Sequence, residues 1–186
     1  ADKYSDCSEK RVIAVGRLDY QKSFDRLIEV WEIVHPYAQD WRLDIFGQGE
    51  WKDMLNQMIR DRGLESCVKI NAPTKNIGEE YAKSSILVMS SHYEGFPMVM
   101  IEGMACGLPA VSFDFKCGPR DIIEDGVNGY IVEDGDLGDL AQGLLNLIKD
   151  EPLRKSMGEA AKTVVDRYSE EKVMAKWENC YKSILS

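Results

Sequence analysis

Six short apolar runs, separated by segments of helical periodicity, constrain this 186-residue chain more than any other feature. Val12-Ile13-Ala14-Val15, Trp41 to Phe46, Val68-Lys69-Ile70, Ile86 to Met89, Ala110 to Phe113 and Tyr130-Ile131-Val132 have the length and composition of strands. Between them, Phe24, Leu27, Ile28, Trp31 and Val34 fall on one helical face that Pro36 ends. Trp51, Met54, Leu55, Met58 and Ile59 mark a second helix, and a short one follows around Glu79 to Lys83. Pro97 suits the first turn of a helix, which Met98, Val99, Ile101, Met104 and Ala105 continue as a mostly buried element. The remainder reads as three helices: Leu137 to Ile148, Pro152 to Val165, and a last one from the N-cap Ser169 through Val173, Trp177, Cys180 or Tyr181, and Ile184. Strands alternating with helices predict βαβ units with right-handed crossovers. The fold class is therefore α/β, a doubly wound six-stranded parallel sheet with C-terminal helices.

In such sheets a ligand sits beyond the carboxyl ends of the strands, where strand order reverses. With the common order 3-2-1-4-5-6, by analogy, that point lies between strands one and four. The loop after strand one carries Gly16, Arg17 and Lys22. The loop after strand four carries Glu94, and Glu102 follows on the next helix. Arginine offers a forked donor for phosphate and lysine a mobile point charge. A helix starting at Pro97 aims the free N–H groups of Met98 and Val99 at the same place, so the set suits a diphosphate. Glu102 then lies roughly 7.5 Å further along the axis than Pro97. Ionised acids accept hydrogen bonds only, so Glu94 and Glu102 suit hydroxyls of an extended ligand such as a nucleotide sugar. Each residue also has a plainer reading. Arg17 and Lys22 alone describe a solvated loop and a helix-start cation, Glu94 a surface acid, and Glu102 a buried structural ion pair. Gly47-Gln48-Gly49 is only half of a dinucleotide fingerprint and reads better as a turn, since Lys52 stands where the third glycine would. His92 adjoins the site as a loop hydrogen-bonding group.

The net charge of −9 argues against nucleic acid as a partner. Five scattered cysteines without a CxxC pair read as free thiols of a reducing, cytoplasmic compartment. No apolar run approaches the ~18 residues of a membrane span. No HExxH, GxSxG or Walker-type loop occurs, and no metal is expected. Residues 1–10 read as a linker, with the folded unit at 11–168 and a terminal helix at 169–186.

Ser90-Ser91-His92-Tyr93-Glu94-Gly95-Phe96-Pro97-Met98-Val99-Met100-Ile101-Glu102-Gly103 resembles the E-x7-E signature of family 4 retaining glycosyltransferases. Gly16-Arg17-Leu18-Asp19-Tyr20-Gln21-Lys22 is similar to that family's G-R-L-x-x-x-K motif. Asp121 to Val132 resembles its E-I-I-x-D-G-x-N-G-x-L-V segment. The resemblance implies the Rossmann-like C-terminal, donor-binding half of a GT-B enzyme, with the N-terminal domain outside this chain. It implies that Arg17 and Lys22 hold the donor diphosphate, that Glu94 contacts the transferred sugar, and that Glu102 binds ribose hydroxyls. Gly16 and the backbone from Gly95 through Phe96, Pro97, Met98 and Val99 would meet phosphate and sugar, and Pro73 and Thr74 would lie near the base. The last helix would cross to the N-terminal domain. Ser23 stands where the family usually has Gly, Pro97 replaces a Gly, and Cys117-Gly118-Pro119-Arg120 replaces a Gly-Gly loop. The Pro97 and Cys-Gly-Pro forms resemble bacterial polysaccharide-assembly enzymes. The implied donor is a UDP-sugar ahead of a GDP-sugar. The implied acceptor is a glycan or lipid-linked saccharide, met in the cytoplasm with peripheral association at the inner face of the plasma membrane through the other half. The alternatives are a non-catalytic nucleotide-sugar-binding module, or another GT-B activity such as a phosphorylase or synthase.

Overall fold

Val12, Ile13, Ala14, Leu43, Ile45, Ile86 and Leu87 are wholly buried, the pattern of strands covered by helices on both faces. In the computed structural model, which describes residues 4–185, they lie in β1 (Arg11–Val15), β2 (Arg42–Phe46) and β4 (Ile86–Met89). With β3 (Val68–Asn71), β5 (Ala110–Phe113) and β6 (Gly129–Val132) they form one parallel sheet in the order β3-β2-β1-β4-β5-β6. Val12 pairs with Leu43 on one side and with Ile86 on the other. Strand order thus reverses between β1 and β4, the order assumed by analogy.

One face of the sheet is covered by α1 (Phe24–Val34), which packs against α2 (Lys52–Asp61) and α6 (Leu137–Lys149). On the other, α4 (Met98–Ala105) packs against α3 (Ile77–Ala82), α7 (Glu151–Ala161) and α8 (Val164–Tyr168). A single turn, α5 (Pro119–Ile122), follows β5, and α9 (Glu170–Leu185) closes the chain.

Three local expectations are corrected. The helix expected from Pro152 to Val165 breaks after Ala161. There Thr163 turns its hydroxyl and its N–H onto the Ala160 carbonyl, a local bond that competes with the helix ladder. Pro97 caps α4 rather than starting it: its ψ of 73° is not helical. Met98, expected with the buried residues of α4, is 53% exposed, while Met100, Ile101 and Met104 are buried. Ser169 does cap α9, its Oγ accepting from Lys172 N at 3.4 Å. Residues 1–3, in the expected linker, and the side chains of Cys180 and Ile184 lie outside the described residues.

Arg154, on α7, is only 3% exposed. Its guanidinium donates to the carbonyls of Leu147 (2.6 Å) and Ile148 (3.1 Å) at the end of α6 and of Cys7 (2.9 Å), and lies 5.0 Å from the Trp41 ring centroid. Burial draws its pKa below the ordinary arginine value. It closes a helix C-terminus whose carbonyls have no partner within the helix.

Candidate functional site at the β1–β4 carboxyl ends

The loops after β1, β2 and β3 are laced by backbone hydrogen bonds. Gly16 N donates to Phe46 O (3.0 Å), Leu18 N to Gln48 O (2.9 Å) and Gly47 N to Asn71 O (3.0 Å). A Cβ on Gly47 would lie 1.9 Å from the Gly16 carbonyl, and one on Gly49 2.3 Å from that of Leu18. The Gly47-Gln48-Gly49 turn therefore owes its glycines to the close approach of two loops.

These loops, α3 and α4 border an open cavity of about 360 Å³, within the range of small-ligand sites. Val15, Gly16, Arg17, Phe46, Gly47, Gln48, Pro73, Thr74, Ile77 and Glu102 line it. Five residues singled out in the sequence thus meet here: Gly16, Arg17, Pro73, Thr74 and Glu102. Glu102 is exposed to this cavity rather than buried in an ion pair, and accepts from the Tyr81 hydroxyl at 3.4 Å. Burial first, and then the Glu102 carboxylate, push the Tyr81 phenol far above its ordinary pKa, so it remains a donor.

Lys22 and Glu94 stand beside the cavity and face each other. Lys22 Nζ lies 2.6 Å from Glu94 Oε1, and the two side chains are only 12% and 8% exposed. Ser91 Oγ donates to the same Oε1 (2.7 Å) and Gln21 Nε2 to Oε2 (3.2 Å). Lys22 is held by an acid, while Arg17, 69% exposed, bonds Gln21 Oε1 (2.8 Å) and Asp19 (3.2 Å). The β4 loop is also tied down by its main chain: His92 N donates to Gln21 O (2.9 Å) and Ser90 Oγ to Lys22 O (2.9 Å).

The turn at Gly95–Val99 is the second half of the site. Phe96 is 48% exposed and packs against Tyr168 with centroids 5.7 Å apart. Met98 N–H is used by the Phe96 carbonyl at 2.9 Å, because Pro97 caps rather than starts the helix. That overturns the expectation of two free donors. Val99, second in α4, keeps the open N–H of a helix start.

Ser23, next to Lys22, has a φ of +50°, a left-handed conformation that costs a serine roughly 1–2 kcal/mol. Its hydroxyl donates to Asp25 (2.9 Å), accepts from Arg26 Nε (3.0 Å) and lies 3.2 Å from His92 Nε2. Arg26 continues to the Ser90 carbonyl at 2.6 Å and to Asp134 at 2.8 Å. Burial, and then Arg26, lower the His92 pKa, and its ring stacks on Tyr20 at 4.5 Å. Gln21, Tyr81 and Ser91 did not stand out in the sequence; Gln48 did, through the Gly47-Gln48-Gly49 turn at a strand's carboxyl end. Among the described residues no group of three or more His, Cys, Asp and Glu side chains could hold a metal ion. No described helix is long and apolar enough to cross a membrane.

Residues 3–164 match the family model for glycosyl transferases group 1. The amylovoran biosynthesis glycosyltransferase AmsD of Erwinia amylovora is 44% identical over 172 residues, which cover 92% of this chain and 48% of that protein. A crystal structure of a Staphylococcus aureus TarM variant with fondaparinux, alpha-GlcNAc-glycerol and UDP superposes with a TM-score of 0.89. The two are 34% identical over 95% of this chain and 36% of that one. The C-terminal domain of the group 1 family protein LpcC from Francisella tularensis gives a TM-score of 0.77 at 25% identity, covering 86% of each chain. The chain spans less than half the length of AmsD and of TarM.

Proposed function

Because the chain belongs to the glycosyl transferases group 1 family, as a GT-B C-terminal domain akin to those of bacterial polysaccharide glycosyltransferases, we propose that it binds the nucleotide-sugar donor of a retaining glycosyltransferase. The donor is a UDP-sugar ahead of a GDP-sugar, and the acceptor a glycan or lipid-linked saccharide of surface polysaccharide synthesis. Residues 11–168 form the nucleotide-sugar domain, and the helix after Ser169 packs on the enzyme's other half, at the inner face of the plasma membrane.

The observation that carries this reading is the cavity between Arg17, Gln48, Thr74 and Glu102, with the Lys22–Glu94 pair at its edge. The nucleoside lies in the cavity, its base near Pro73 and Thr74 and its ribose on Glu102. The diphosphate lies over Gly16, Arg17 and the Val99 N–H. Lys22 keeps one of its three donors on Glu94 and turns another to a phosphate oxygen. As the glycosidic bond breaks, charge builds on the leaving diphosphate, and these fixed donors stabilise it there. Glu94 Oε1 is occupied by Lys22 and Ser91, so Oε2, which accepts one bond from Gln21, takes a sugar hydroxyl on its second lone pair and the carboxylate orients the sugar rather than attacking it.

Paired titrations with UDP and uridine test the assignment. Arg17→Ala should weaken UDP by about tenfold and leave uridine almost unchanged, the loss of one charge-assisted hydrogen bond to phosphate. Glu102→Gln should weaken both ligands to the same degree. Equal losses for both ligands in Arg17→Ala would remove that residue from the diphosphate site.

A further inference from the structure

Gln21 touches both charged ends of the site with a neutral group. Its Oε1 accepts from Arg17 Nη2 at 2.8 Å, while its Nε2 donates to Glu94 Oε2 at 3.2 Å and to the Tyr93 carbonyl at 3.1 Å. The partners dictate this orientation. Turned over, the amide would set its oxygen against a carboxylate and a carbonyl, and its NH2 against a guanidinium. Lys22 and Ser91 both act on Glu94 Oε1, so the Gln21 bond to Oε2 sets the rotation of the carboxylate plane. Arg17 is largely exposed, and its other anchor is Asp19 at 3.2 Å. A mobile arginine beside a carboxylate tends to close on it in a forked ion pair. Such a pair would withdraw both groups from a ligand. An amide between them bonds each and keeps them separate.

We propose that Gln21 is a positioning residue of the donor site: its amide holds the Arg17 guanidinium and the Glu94 carboxylate apart and in fixed relation, so that the diphosphate and the sugar of one donor meet partners already in place. The inference rests on the donor-site reading above.

Two variants separate positioning from mere packing. Gln21→Met keeps the length and removes the hydrogen bonds. Gln21→Glu keeps an acceptor for Arg17 but sets a second carboxylate against Glu94. The charged groups around it are Arg17, Asp19 and Lys22 on its own loop and Glu94 and His92 on the β4 loop. The His92 ring stacks on Tyr20 and lies 3.2 Å from the Ser23 hydroxyl. Two touching carboxyls share a proton on acidification, and the protonated one then donates as the amide did.

The experiment is calorimetric titration of UDP and of uridine into this chain and both variants, at about pH 8 and about pH 5.5. Gln21→Glu should bind UDP about tenfold more weakly at the higher pH and within about threefold of the parent at the lower. Gln21→Met should lose about fivefold at both, and uridine should change less than about twofold throughout. A Gln21→Glu variant whose UDP affinity and pH profile parallel the parent overturns the inference and leaves the donor site standing. A parent chain that binds no UDP at millimolar concentration overturns the donor-site reading, and this inference with it.

Discussion

Lys22→Met is expected to lower the unfolding free energy by about 3 kcal/mol and UDP affinity by about thirtyfold. The two losses have different origins. Lys22 and Glu94 are almost enclosed and lie 2.6 Å apart, so removing the cation strands a carboxylate in a place of restricted hydration. Breaking such a pair from one side costs more than the pair contributes, because the remaining charge still bears its desolvation. The double variant Lys22→Met/Glu94→Gln leaves a neutral amide that still accepts from Ser91, and should regain most of the stability. It should regain none of the UDP affinity, since the cation for phosphate is absent in both. Denaturant melts and UDP titrations of the two variants check this. A double variant as unstable as the single one would mean that the pair does not carry the effect.

Arg154→Ala should destabilise the chain as much as the loss of a large core side chain, by about 4 kcal/mol. The arginine fills the space between α6, α7 and Trp41 and serves three carbonyls, two of them at the open end of α6. Alanine leaves a cavity and orphans all three acceptors. Lys155→Ala, one residue on, removes an exposed pair with Glu151 and should leave the denaturation midpoint unchanged. Similar midpoints for the two variants would refute the capping role of Arg154.

The strands were legible because they are short, apolar and evenly spaced; their order was not in the residues and came by analogy with the common doubly wound sheet. The reversal between β1 and β4 then brought Arg17 towards Glu102 across more than eighty residues of sequence. Two kinds of detail stayed hidden. Backbone donors depend on torsion angles: the Met98 N–H is lost because Pro97 caps the helix at a ψ of 73°, which no residue type announces. Side-chain pairing depends on which groups share a cavity. Lys22 and Arg17 are both cations in one loop, but only Lys22 points to Glu94. Gln21 sits between them as an ordinary loop residue, and its two-sided bonding emerges only when the β4 loop is folded against it. Arg154 is a helical arginine in sequence, and its burial follows from where α6 ends.

The most direct test of the donor site is the map of backbone amide shifts when UDP is titrated into the isotope-labelled chain. The predicted result is a saturable response largest at Gly16, Arg17, Gln48, Thr74, Val99 and Glu102, the residues around the cavity and the start of α4. A response centred instead on the groove of Phe96, Arg167, Lys172 and Lys176, or none at millimolar UDP, would contradict it.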